Sequence, residues 1–377
     1  MKPPEHYRGR EQTYLKHFFL EKYLERVAYK VGSFVKEFVY VDGFSGPWRT
    51  EDSGFEDSSF IIAINKLREV REGLNRAIKR TPHIRCVFVE PNPDAYPLLV
   101  QATSNVTDIE VKTINAEFEA AIPEILKFVG RAFSLVFIDP TGWTGFGLRQ
   151  ITPILQHQPG EVLVNFMFDH INRFLDTSDP EISFDDLFGG AGWKPVIEAS
   201  SRREDAIIEL YTQRMKAGGR FNFATSTRIK KPLSERSYFY LVYGTRHPEG
   251  LLEFRRVEAK EVTEQERVRL DAQQLDRVGR SGQTELFGVN DSIDLGIVSF
   301  ETERRENLAR AEQALETLLA QGKEVDYGDA RTAMLEFPLV WEPDVQRIVA
   351  KRTQVLGLKH RERVPKPGHR LRLKGTN

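Results

Sequence analysis

An α/β fold built on a mainly parallel sheet is predicted by three observations: short apolar runs without polar alternation, helix-like stretches between them, and a late pair of longer strands. The runs are residues 38–42 in "FVYVDGFSGPW", then "RCVFVE", "DIEVKTIN", "SLVFID" and "EVLVNF". Strands covered by helices on both faces need no polar side, so they read as continuous Val, Ile and Phe. The stretches "FIIAINKLREV" and "FEAAIPEILKFVG" supply the intervening helices, giving five strands in βαβ order.

The elements follow in order. "TYLKHFFLEKYLERVAYKV" places Leu15, Phe18, Phe19, Leu20, Tyr23, Leu24 and Val27 at helical spacing, an amphipathic helix before the first strand. After residue 167, "DHINRFLDTSDPEISFDDLFGGAGW" mixes turn formers with short helical pieces. It reads as a helical insertion over about 168–220, where open α/β sheets carry ligand-contacting loops. "RFNFATSTRI" and "SYFYLVYGTRHPEG" form an antiparallel pair closing one sheet edge. This first domain is expected over residues 1–257. Residues 258–296 are polar and read as a linker or exposed loop. Over 297–377, three helices ("RENLARAEQALETLLAQGK", "GDARTAMLEF", "EPDVQRIVAKRTQVLG") precede "LKHRERVPKPGHRLRLKG", which reads as a β-hairpin around "PKPG". Three helices and a hairpin make a winged helix-turn-helix.

Length and composition agree with this plan. A chain of 377 residues suits two or three modules at roughly 150 residues each, and 25 Phe provide core material. The amino terminus has no apolar signal segment, and no run reaches the roughly 18 to 20 apolar residues of a membrane span, so a cytoplasmic protein with no membrane contact is expected. The single cysteine, Cys86, cannot form an internal disulfide and reads as a core hydrophobe. The net charge of −1 hides an asymmetry: nine Lys or Arg against one Glu from Lys351 onward leave +8 there and −9 on residues 1–350.

The strand ends carry the chemistry. A first strand that ends in an acid and breaks into a glycine-containing turn is the form of a nucleotide-binding loop, because missing side chains let backbone N–H groups approach a ligand. The spacing of Gly43 and Gly46 does not satisfy G-x-G-x-x-G, and no Gly-Lys-Ser/Thr follows, so nicotinamide and Walker-type sites are disfavoured. What remains is the arrangement that holds S-adenosylmethionine in Rossmann-like methyltransferases. Asp42 or the backbone of Gly43, Phe44 and Gly46 would hold the methionine portion, Glu90 the ribose hydroxyls, and Asn115 the adenine edge. The fourth strand ends "FIDPTGWTGFG". Amino-group methyltransferases place Asp/Asn-Pro-Pro-aromatic here, to accept hydrogen bonds from the target amine and stack on a flipped base. Asp139, Pro140 and Trp143 answer to that logic, with Thr141 in place of the second proline. No metal cluster is expected, and the acids of "FDD" at 184–186 are too thin a basis for a metal-dependent nuclease.

Several stretches in order, "TYLKHFFLEKYL", "YVDGFSGPW", "EDSSFIIAI", "VFVEPNPDAY", "VFIDPTGWTG" and "SYFYLVYGTRHPEG", resemble the three-Cys-motif partner protein (TcmP) family across about residues 10–260. The resemblance implies a Rossmann-like methyltransferase fold and a partner, encoded nearby, that bears three cysteines. More distantly, "LKH" and the strand-four Asp-Pro look like the adenine-N6 methyltransferase of large-subunit ribosomal RNA, which would carry Lys16 and His17 to the cofactor site. Alternatively, His17 sits on the polar side of the first helix. Trp48 stands where the family usually has glycine, and an indole there would crowd the methionine site.

In the closing hairpin Arg370, Arg372 and Lys374 alternate with Leu371 and Leu373, and Lys359, Arg361, Arg363 and Lys366 are expected across the turn. With Lys351 and Arg352 of the third helix they form a candidate phosphate-binding face for DNA or RNA. Two functions follow: an S-adenosylmethionine-dependent methyltransferase acting on nucleic acid, or a catalytically inactive Rossmann scaffold serving as a nucleic-acid-binding or assembly subunit.

Overall fold

A computed structural model of the chain describes residues 1–46, 55–142, 144–175, 184–281, 291–322, 324–358 and 362–374. The chain divides into two compact units, Met1–Arg246 and His247–Asn377, so the first ends at Arg246 rather than at residue 257.

In the first unit, α1 (Glu11–Gly32) leads into β1 (Glu37–Asp42), and then α2 (Ser59–Ile78), β2 (His83–Val89), α3 (Tyr96–Thr103), β3 (Glu110–Ile114), α4 (Phe118–Val129), β4 (Phe133–Ile138), α5 (Leu148–Leu155) and β5 (Gly160–Phe166) alternate. The helices α6 (Phe168–Phe174), α7 (Phe184–Leu187), α8 (Trp193–Glu198) and α9 (Arg203–Gly219) fill the expected helical stretch before β6 (Phe223–Lys230) and β7 (Ser237–Thr245). The seven strands form one sheet in the order β3-β2-β1-β4-β5-β7-β6. β1 to β5 are parallel, whereas β7 runs antiparallel to both β5 and β6. The order reverses between β1 and β4, and a crevice opens beyond the carboxyl ends of strands at such a point.

Both sheet faces are covered, which is why the strands read as unbroken apolar runs. Val39 and Val41 join the core that includes Phe118, Ile151 and Tyr211 of α4, α5 and α9. On the other face Tyr40 meets Phe88, which meets Phe60 of α2, and α1 packs on α2. α1 is tied to the sheet by a buried polar knot. Tyr23 donates to Glu161 Oε2 at 2.7 Å, its oxygen lies 2.6 Å from the Tyr243 hydroxyl, and Thr245 donates to Glu161 Oε1 at 2.9 Å. Cys86 is buried and unbridged, and burial raises its thiol pKa.

The second unit contains α10 (Pro248–Ser281), α11 (Asp291–Gln321), β8 (Val325–Asp326), α12 (Tyr327–Leu335), α13 (Glu342–Arg352), β9 (Thr353–Leu356) and β10 (Arg370–Leu373), with a three-stranded sheet in the order β8-β10-β9. The stretch expected as a linker, 258–296, is helical wherever it is described. The buried side of α10 is apolar at its start, with Leu251, Leu252, Phe254 and Val257, but from Glu258 onward buried Glu258, Glu261, Gln265 and Arg269 interrupt Val262 and Val268, which blurs the apolar periodicity that announces a packed face.

The third carboxyl-terminal helix is also shorter than expected. α13 stops at Arg352, where Thr353 turns extended, and the next residues pair with β10. Leu356 and Gln354 lie opposite Arg370 and Arg372. Arg363 and Lys366 therefore lie in the connection between the strands rather than across from those arginines, and Lys359 and Arg361 lie outside the described residues. No described helix is long and apolar enough to cross a membrane.

Candidate active site

Four residues expected at strand ends do end or follow neighbouring strands. Across the order β3-β2-β1-β4, Asn115, Glu90, Asp42 and Asp139 succeed one another along the carboxyl edge. A cavity of about 570 Å³ opens on part of that edge, and its walls include Lys16, His17, Phe44, Gly46, Asp139 and Pro140. Trp48 and Trp143 lie outside the described residues.

One wall of the cavity holds a clamped carboxylate. Lys16 Nζ, from α1, donates to Asp139 Oδ2 at 2.5 Å, and Asn165 Nδ2, from β5, donates to Oδ1 at 2.6 Å. Asn165 is almost fully buried and its Oδ1 has no hydrogen-bond partner. Turning the amide over would set that oxygen against the carboxylate, so Asp139 fixes its orientation and the orphaned carbonyl is the cost. The sequence reading missed Asn165, although its signal is visible: a lone amide near the end of the otherwise apolar "VLVNF".

His17 lines the same cavity and is buried, not on the polar side of α1. Burial, followed by the nearby Lys16 and Arg10 charges, holds its imidazole well below the usual range, so it is neutral near pH 7. Tyr7 places its hydroxyl 3.4 Å from His17 Nδ1. At another part of the wall Arg10 pairs with Asp57 at 3.4 Å.

Asp42 is fully buried behind the wall. Its oxygens accept from Phe44 N at 3.1 Å and from Ser59 Oγ, which lines the cavity, at 2.6 Å. Burial, the largest influence, pushes its carboxyl up to about 6 against the lowering effect of these two bonds. Asp42 thus braces the loop. The loop amides are engaged as well: Gly43 N donates to Phe137 O and Ser45 N to Val89 O. Glycine at 43 serves packing, since a Cβ there would lie 2.7 Å from the Phe118 ring. This differs from the expected role of a backbone exposed to ligand.

Glu90 and Asn115 are neighbours but not part of the cavity wall. Asn115 Nδ2 donates to the Glu90 carbonyl at 2.8 Å, and Glu90 Oε1 accepts from Asn92 N at 2.7 Å. Burial raises the Glu90 pKa. Among the described residues no group of three His, Cys, Asp or Glu is arranged to hold a metal, and Asp185 of the "FDD" stretch accepts from Trp193 Nε1.

In the second unit most of the basic candidates have internal partners. Arg352 and Lys351 pair with Glu312, Arg372 with Glu324 at 2.5 Å, and Lys366 with Glu362 at 3.3 Å. Lys374 donates to the Ala350 carbonyl. Arg363 and Arg370 are exposed, and Leu371 is buried as the alternation requires.

No protein-family model matches the sequence, and no curated protein matches it. Among solved structures, protein LPL1258 from Legionella pneumophila str. Philadelphia 1, of family model DUF519, is similar at 12% identity and a TM-score of 0.42, covering 66% of this chain and 91% of that one. Cofactor-bound Rv0187 from MTB is similar at 14% identity and a TM-score of 0.31, covering 60% and 79%.

Proposed function

We propose that the first unit is a Rossmann-like, S-adenosylmethionine-dependent methyltransferase domain acting on an amino group carried by nucleic acid. The observation that carries the reading is the convergence of Lys16, Asp139 and Asn165 on one cavity at the point where the strand order reverses. The donor set at the cavity suits the cofactor's methionine end: Ser59, Phe44 and Gly46 line the cavity beside β1, and Lys16 offers a cation for a carboxylate, whereas Glu90, the residue expected to hold the ribose diol, stands at the end of the neighbouring strand, outside the wall. When bound, S-adenosylmethionine supplies an electrophilic methyl group. Asp139 and the Pro140 carbonyl accept hydrogen bonds from the target amine and orient its lone pair, while neutral His17 adds no charge against a sulfonium.

The second unit supports delivery of a polymer. After α10, its order of helix, strand, two helices and two strands is compatible with a winged helix-turn-helix, in which α13 would be the recognition helix and the β9–β10 connection the wing. The ion pairs on Arg372 and Lys366 are exposed, and such pairs contribute about 0 to 1 kcal/mol, so phosphate can replace their carboxylates. The TcmP resemblance adds a partner bearing three cysteines.

Titration calorimetry with S-adenosylmethionine, followed by transfer of a labelled methyl group to bulk RNA or DNA, tests the proposal. The Asp139→Ala variant retains cofactor binding and loses transfer by at least about 10²-fold. A folded sample that binds nothing at millimolar cofactor overturns it. One observation favours the second reading, an inactive scaffold: both Asp139 oxygens are already engaged. Under that reading Asp139→Ala leaves nucleic-acid binding and assembly with the partner unchanged.

A further inference from the structure

The cavity is longer than the clamped carboxylate requires, and its far wall is aromatic. β7 runs antiparallel to β5 with Tyr240 opposite Phe166, the last residue of β5. The start of β7 therefore projects past the end of β5, which brings Tyr238 and Phe239 to the carboxyl edge and into the cavity wall. In the sheet order β1-β4-β5-β7 the wall runs from the Phe44 and Ser59 end, past Asp139, past Asn165 and Met167, to Tyr238. Two strand intervals separate β4 from β7, about 10 Å along the edge. By sheet order Asp139 thus stands between the β1-loop end and the β7 end of one cavity.

Tyr238 is suited to be a fixed flat surface. It is half-buried, its ring meets Phe239 edge-on at 5.8 Å, and Lys231 Nζ stands over one face, 6.0 Å from the ring centroid. Lys231 is itself held by Asp169 at 2.8 Å. A ring held by a cation over one face and by Phe239 edge-on, in the wall of a cavity that also includes Pro140 and Met167, can serve as a stacking platform for another flat ring on its remaining face.

We propose that Tyr238 is the stacking wall of the acceptor end of the cavity and selects a planar heteroaromatic amine, a nucleobase, as the group presented to Asp139. The proposal rests on the reading above for the chemistry at Asp139; the place of Tyr238 at that end stands on geometry. Stacking on Tyr238 sets the plane of the base, and the carboxylate meets the exocyclic amine at its edge.

The test uses the full chain, a single-stranded oligonucleotide carrying one 2-aminopurine, and S-adenosylhomocysteine as a separate probe. Binding of the oligonucleotide to the unaltered protein quenches 2-aminopurine fluorescence. Tyr238→Phe keeps the quenching, and Tyr238→Leu, which retains apolar bulk for folding, abolishes it and weakens binding at least about fivefold. S-adenosylhomocysteine affinity is the same in all three proteins. Quenching and affinity unchanged in Tyr238→Leu overturn the proposal, as does an unaltered protein that never quenches the probe. A parallel loss of S-adenosylhomocysteine affinity also overturns it, by assigning Tyr238 to the cofactor end. Oligonucleotide binding that depends on Tyr238 in a protein that does not bind S-adenosylhomocysteine supports the stacking wall and refutes the methyltransferase reading instead.

Discussion

The two units bury comparable sets of charged side chains to opposite ends. In the first, Lys16, Asp139 and Asn165 face a cavity, and the Asp139 side chain keeps 11% of its surface exposed. In the second, Arg255 and Glu258 are sealed. Arg255 Nη1 donates to Glu258 Oε1 at 2.6 Å, and its other nitrogens donate to the carbonyls of Leu335 and Glu336 at 2.8 and 3.0 Å. Trp341 Nε1 donates to Glu258 Oε2 at 3.1 Å. These partners are internal and both side chains are buried, so the pair ties α10 to the ends of α12 and α13. The lesson is that burial of charge marks a candidate site only where open volume adjoins it.

The largest effect that would sharpen this contrast is Arg255→Met. It strands Glu258 without a counter-ion and leaves two carbonyls without their donor, at a cost of about 3 to 5 kcal/mol in the unfolding free energy of the second unit by urea titration. A loss below about 1 kcal/mol would remove the distinction.

Next is Glu261, fully buried on α10 with neither oxygen partnered. Burial, reinforced by Glu258 and Glu266, pushes its carboxyl well above the usual range. A raised acid contributes fully below its unfolded pKa near 4.5, and that contribution is lost as pH rises through the folded value. Glu261→Met therefore raises stability by about 1 to 3 kcal/mol at pH 7, and the gain shrinks toward pH 4 in thermal unfolding. A gain that is constant with pH breaks the argument.

The smallest effect is Lys16→Met. It removes one partner of Asp139, but the cavity admits water to replace it, so unfolding of the first unit changes by only about 1 kcal/mol. A loss equal to that of Arg255→Met would show that the cavity does not hydrate the carboxylate.

The same contrast explains what the sequence disclosed. Apolar periodicity made α1 and the five parallel strands legible, because their buried sides are Leu, Phe and Val. It failed for α10 beyond Val257, where buried Glu258, Glu261, Gln265 and Arg269 interrupt Val262 and Val268. The strand-end acids were legible as a row, since parallel strands deliver their ends to one edge. Which of them reach the cavity was not, because Asp42 is turned into its own loop by Phe44 and Ser59, and Glu90 by Asn92. In the closing sheet the alternation of Arg370 to Leu373 was visible, whereas its partner strand lay in Thr353–Leu356, read as helix because it follows α13 without a break. Tyr238 gave no signal of its own: its place depends on how β7 registers against β5.

The position of β7 has a consequence for how the chain matures. The cavity draws on α1 at one end of the first unit and on the start of β7 near the other, so no shorter amino-terminal piece encloses it. A nascent chain halted after β5 already holds the carboxylate clamp but lacks its aromatic side, and on the ribosome the cavity closes only once residues beyond 240 have emerged.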